Sequence, residues 1–138
     1  MFGTFRPGAQ AYGQMGIDSD ALVASPHQLI VMLFDGALRA IDTATVQVSA
    51  RDIEGKGRSL GKAIDIVGGG LSASLDLERG GEIAANLHAL YGYIVQCLSE
   101  ANIANDRDKL DEARRLLAHM RESWIAIGHA SHHPGANA

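Results

Sequence analysis

Residues 24–38, ASPHQLIVMLFDGAL, constrain the fold more than any other stretch, because they join a helix start to more apolar surface than one helix face holds. Ser25 is placed to cap a helix and Pro26 to begin it, where the amide that proline lacks would have had no intrahelical partner. Gln28, three residues after Ser25, gives capping-box spacing. Six apolar residues then follow without interruption, 29–34. A bundle helix needs about three apolar positions in seven to face a core. A run that is apolar all the way round therefore has a second surface to cover.

At 138 residues the chain suits one domain that buries roughly two thirds of its unfolded surface. Only 5% of its residues are aromatic, while Ala and Leu abound, which points to helices. A net charge of −4 with no run of Lys and Arg argues against a nucleic-acid surface. The lone Cys97 rules out an intrachain disulfide and falls in an apolar helical pattern, as a core residue would. The chain opens without a basic region followed by an apolar segment, and it has no run of about eighteen apolar residues. The expectation is a soluble, cytoplasmic protein with no membrane insertion.

The helical period divides the rest. Residues 1–23 carry glycine at 3, 8, 13 and 16, too often for a stable helix, yet also Phe2, Phe5, Tyr12, Met15 and Ile17. Two readings stand: a disordered leader, or a flexible arm anchored by Tyr12 that folds over an apolar groove. In the first helix Leu29, Leu33, Ala37, Ala40, Ala44 and Val48 form a core stripe. Val31, Phe34 and Leu38 fall on a second face, either a wider core or a surface for the arm or another chain. Gly55 and Gly57 mark the first turn. A second helix over 58–77 has the stripe Leu60, Ile64, Val67, Leu71 and Leu75, with Ile66 and Leu77 away from it. The triplet Gly68, Gly69 and Gly70 is expected to kink or loosen it, or to admit another backbone closely. After Gly80 and Gly81, a third helix begins at Glu82 with the stripe Ile83, Leu87, Leu90, Ile94, Leu98 and Ala101. Tyr91 flanks that stripe and Tyr93 lies beside it, each suited to a bundle edge or a groove. Asn105 or Asp106 caps the last helix, where Leu110, Ala113, Leu117, Met120, Trp124 and Ile127 keep the period without error. Residues 129–138 have no apolar period and read as a disordered tail. The predicted fold is all-α: an antiparallel up-and-down four-helix bundle over 24–128, with the arm before it and the tail after it.

Chemistry is scarce. Histidines 129, 132 and 133 lack helical spacing and carboxylate support, so no metal or other cofactor is expected. Ser25 and His27 have no oriented acid partner, which leaves nucleophilic catalysis without a third member and the protein without an enzymatic assignment. His88 with Gly92 four residues on has part of the pattern of a histidine phosphotransfer bundle, but Tyr91 stands where that pattern has a lysine.

A series of short motifs runs in order along the chain: Ala11-Tyr12; Ala24-Ser25-Pro26 with Leu29-Ile30 and Met32-Leu33; Asp35-Gly36-Ala37; Ser74-Leu75-Asp76 with Glu78; Gly80 to Ala84; Asn86-Leu87; Leu90-Tyr91 with Tyr93; Ala101-Asn102; and Arg121-Glu122 with Trp124. In this order and spacing they resemble the flagellar secretion chaperone family FliS. The resemblance implies a non-enzymatic bundle that binds the C-terminal segment of flagellin, prevents premature polymerisation and delivers the subunit to the flagellar type III export apparatus. It departs from the family at Phe34, where a tyrosine is more usual, and at the three glycines 68–70. The expected partner contacts are Tyr12, Val31, Phe34, Leu38, Ile66, Leu71, Tyr91 and Tyr93. The competing reading is a structural homo-oligomer or homodimer held by the same apolar surplus.

Overall fold

A computed structural model of the chain describes residues 24–131. Tyr12 and the rest of the predicted arm lie outside them, as do residues 132–138. Among the described residues four α-helices follow in order: α1 (Pro26–Ser49), α2 (Ile53–Ile66), α3 (Gly81–Ala104) and α4 (Arg107–Ser131). Among the described residues there is no strand. Each helix packs on its sequence neighbours, and α1 also packs on α4, closing an antiparallel ring.

The predicted capping box at the start of α1 is formed. Ser25 Oγ accepts from the Gln28 amide at 3.1 Å, and the Ser25 amide donates to Gln28 Oε1 at 3.0 Å. At the other end the turn differs from expectation. Arg51, not a glycine, takes the left-handed conformation, with φ of 59°. Its amide donates to the Val48 carbonyl, and that of Asp52 donates to Gln47, which closes a Schellman motif. Asp52 then caps α2 by accepting from the Gly55 amide at 3.0 Å. Gly55 and Gly57 therefore belong to α2 rather than to the turn, and α2 starts five residues earlier than predicted. At the third connection Asn105 ends α3 with φ of 53°, and Asp106 caps α4, its carboxylate accepting from the amides of Asp108 and Lys109.

The second helix also ends earlier than expected. Val67–Leu71 form a π-helical turn around the glycine triplet, followed by a 3-10 turn at Ser72–Ser74. The chain loosens here without breaking, consistent with glycine's weak hold on α geometry. Gly70 is buried, and Gly68 faces Val95 of α3, whose Cγ2 would lie 3.8 Å from an added Cβ.

The core comprises Leu33, Phe34 and Ile41 of α1, Leu60 and Ile66 of α2, Leu71 at the end of the π turn, Ile94 and Leu98 of α3, and Leu110 and Leu117 of α4. Cys97 is buried among them, and burial raises its thiol pKa. Two predicted stripes fail at their ends: Ile83 is 73% exposed and Ile127 is 58% exposed. Ile66, expected to lie away from the core stripe, is fully buried.

Polar groups set the register between α1 and α4. Arg121 Nε donates to Asp35 at 2.5 Å, Arg114 Nε to Asp42 at 2.6 Å, and Arg107 Nη1 to Ser49 Oγ at 3.1 Å. Each rung lies seven residues from the next on both helices, two turns apart along antiparallel axes. A fourth rung would place Gly128 beside Gln28. At the far end of the bundle, the ammonium of buried Lys56 donates to the Asn102 carbonyl at 2.8 Å and to the Asn105 side chain, tying the start of α2 to the end of α3.

Candidate functional site

α2 has 14 residues, whereas α1, α3 and α4 have 24, 24 and 25. Even with the π and 3-10 turns, the second arm of the bundle ends at Ser74, and the chain then runs irregularly to Gly81. The other three helices continue past it, so their apolar stripes emerge from the core. They wall a groove of about 750 Å³ between the first turns of α1, residues 74–80, the first half of α3 and the last turns of α4. Ile30, Phe34, Leu75, Ile83, Leu87, Tyr91, Met120, Trp124 and Ile127 supply its apolar lining. Polar groups sit within it at His27, Ser74, Asp76, His119 and Ser123.

The connection forming one wall is held by its own backbone. Asp76 Oδ1 accepts from the amides of Glu78 and Arg79, and the Gly80 amide donates to the Asp76 carbonyl at 2.8 Å. Gly80 is required there, since an added Cβ would come within 2.8 Å of that carbonyl oxygen and 2.4 Å of Ala84 Cβ. The opposite wall is closed where α1 meets α4. His27 Nε2 donates to the Trp124 carbonyl at 2.7 Å, Trp124 Nε1 donates to the His27 carbonyl at 3.0 Å, and the two rings stack 4.9 Å apart at 9°. Because a carbonyl only accepts, Nε2 carries the imidazole proton. Burial raises the Tyr91 hydroxyl to about 12.

Of the eight expected partner contacts, Phe34 and Tyr91 line this groove, although both are almost fully buried. Ile66 and Leu71 lie in the core. Leu38 packs half-buried against the core, and Val31 is half-buried on α1; neither lines the groove. Tyr93 is on the α3–α4 face, where its hydroxyl donates to Glu112 at 2.5 Å, and that hydrogen bond raises its pKa. Tyr12 is outside the described residues. Sequence reasoning missed Ile30, Ile83, Leu87, Trp124 and Ile127 as groove residues. Most of these had been assigned to core stripes, and the signal that separates them is the early end of α2 at the glycine triplet.

Among the described residues no three His, Cys, Asp or Glu side chains converge as a metal site, and no helix is long and apolar enough to cross a membrane. The histidines at 129, 132 and 133 are not among the side chains described. His88 is exposed on α3, but Tyr91, where phosphotransfer domains carry a lysine, is buried.

The model of the family described as flagellar protein FliS matches residues 8–131. The chain belongs to the FliS family. Its relatives include the flagellar secretion chaperone FliS of Salmonella typhimurium, 46% identical over 120 residues that cover 87% of this chain and 89% of that protein. FliS of Escherichia coli is 43% identical, covering 85% and 86% of the two chains. The more distant FliS of Bacillus subtilis is 32% identical, covering 83% and 80%. The sequence resemblance is thereby established across most of the chain, and the groove is a feature of a FliS-family bundle.

Proposed function

We propose that this FliS-family chain is a cytoplasmic, non-enzymatic export chaperone whose groove holds the apolar face of the C-terminal segment of flagellin. The observation that carries this reading is the groove itself: an apolar trough bounded by three helices, with Ile83 largely in water although its spacing is that of a core residue. Leaving such side chains exposed forgoes about 1.5 to 3 kcal/mol each, a loss recovered when a partner covers them. An amphipathic segment lays its anchors into such a groove as it becomes helical. Its ordering cost lowers the net affinity, which keeps the complex releasable at the export apparatus. While bound, the segment is withheld from polymerisation.

The test is the mass of the particle in solution, measured by light scattering with and without a synthetic flagellin C-terminal segment. This reading expects a stoichiometric heterocomplex. A homo-oligomer of unchanged mass in the presence of the segment would instead favour the structural alternative.

A further inference from the structure

Resting on that reading of the groove, we propose that Trp124 is the residue on which client affinity centres and that His27 is its positioning residue, with Gly128 supplying the space for the His27 ring. Trp124 is half-buried, packing against the core while also lining the groove. Its indole N–H is already satisfied by the His27 carbonyl, so the ring asks no hydrogen bond of an incoming side chain and offers an apolar surface. The stacked imidazole fixes the plane of the indole, and the reciprocal bond from His27 Nε2 to the Trp124 carbonyl prevents the imidazole from turning away. Two hydrogen bonds and one ring stack thus hold a single aromatic side chain at the groove wall.

Gly128 completes the arrangement. A Cβ there would lie 2.0 Å from His27 Nε2, so any other residue expels the imidazole. The seven-residue ladder that joins α1 to α4 places its next rung at this position, and the chain carries glycine there instead of a fourth arginine. Interfaces concentrate affinity on buried aromatic anchors, tryptophan foremost, and a side chain held in its bound orientation beforehand loses little entropy on binding. His27 acts through Trp124, by holding it.

Trp124 is the one tryptophan of the chain, so its fluorescence reports groove occupancy directly. The full chain is titrated with a synthetic flagellin C-terminal peptide, following both emission and Kd, well below the melting midpoint of every variant. The expected results are a blue shift at saturation, a loss of at least about thirtyfold in affinity for Trp124→Ala, and roughly tenfold for His27→Ala. Gly128→Ala leaves both rings intact and inserts the better helix former, yet is expected to match His27→Ala in affinity. His27→Phe, which keeps a ring to stack, is expected to recover part of the loss. Emission that does not move at saturation, or His27→Ala and Gly128→Ala binding within twofold of the unaltered chain, overturns this inference alone. Absence of binding by the unaltered chain overturns the client reading and this inference together.

Discussion

Arg121 donates to Asp35 at 2.5 Å across the seam between α1 and α4, and the same register recurs seven residues on, where Arg114 meets Asp42. These pairs differ in exposure: both side chains of the first are about one-third exposed, whereas those of the second are about half exposed. Solvent screening should therefore separate them. A double-mutant cycle by urea unfolding is expected to give a coupling of about 0.5 to 1 kcal/mol for Asp35–Arg121 and roughly half that for Asp42–Arg114. Both values should shrink when the cycle is repeated at about 1 M salt, where the screening length falls to roughly 3 Å.

Arg51 occupies a position that glycine would hold with less strain. A non-glycine residue at φ of 59° carries a steric cost, and this side chain is exposed. Arg51→Gly should therefore stabilise the fold by about 0.5 to 1 kcal/mol, less whatever the freer glycine costs in the unfolded chain. The midpoint of urea unfolding reads the change, and a decrease would show that the arginine makes a compensating contact.

Lys56 is a buried ammonium whose hydrogen bonds run to groups at the end of α3. Lys56→Met keeps the stem but removes the charged donor, leaving the Asn102 carbonyl and the Asn105 side chain without it. The expected loss is about 1 to 3 kcal/mol, read as a lower thermal midpoint. Hydrogen exchange should also rise first at the α2–α3 junction.

Much of this architecture was legible in the sequence, for a physical reason. The 3.6-residue period reports which side of a helix is buried, and Leu60, Ile94, Leu98, Leu110 and Leu117 stand where it puts them. Period carries no information about depth along a bundle. Ile83 and Ile127 share the spacing of Ile94 and Leu117, yet they lie beyond the point where α2 stops. Period also leaves the width of the buried arc open. Phe34 is only about 100° from Leu33, and α1 packs against both α2 and α4, so both side chains are buried. The first turn was misplaced because an arginine adopts the conformation for which glycine is the usual signal. Of the nine apolar residues that line the groove, Phe34 and Tyr91 were visible as candidate contacts; the rest depended on where one helix ends.

Tyr91 makes the bundle sensitive to alkali. Its folded pKa of about 12 lies above the ordinary 10.0 because burial disfavours the phenolate. The folded state thus holds a proton that the unfolded state releases, and stability is complete below pH 10 and falls as pH rises through 12. The gap corresponds to about 2 to 3 kcal/mol. Tyr91→Phe should flatten the decline between pH 10 and 12, measured by urea unfolding across that range; an unchanged slope would place the sensitivity elsewhere.

The most direct measurement of the central claim is a calorimetric titration of the chain with a synthetic flagellin C-terminal segment, repeated with Ile83→Asp. Ile83 is 73% exposed and lines the groove, so the substitution leaves the core intact. The expected result is saturable binding with a negative heat-capacity change, as apolar burial requires, and an affinity lower by roughly thirtyfold or more in the variant at an unchanged thermal midpoint. Equal affinity in the two proteins, or no saturable heat in either, would contradict it.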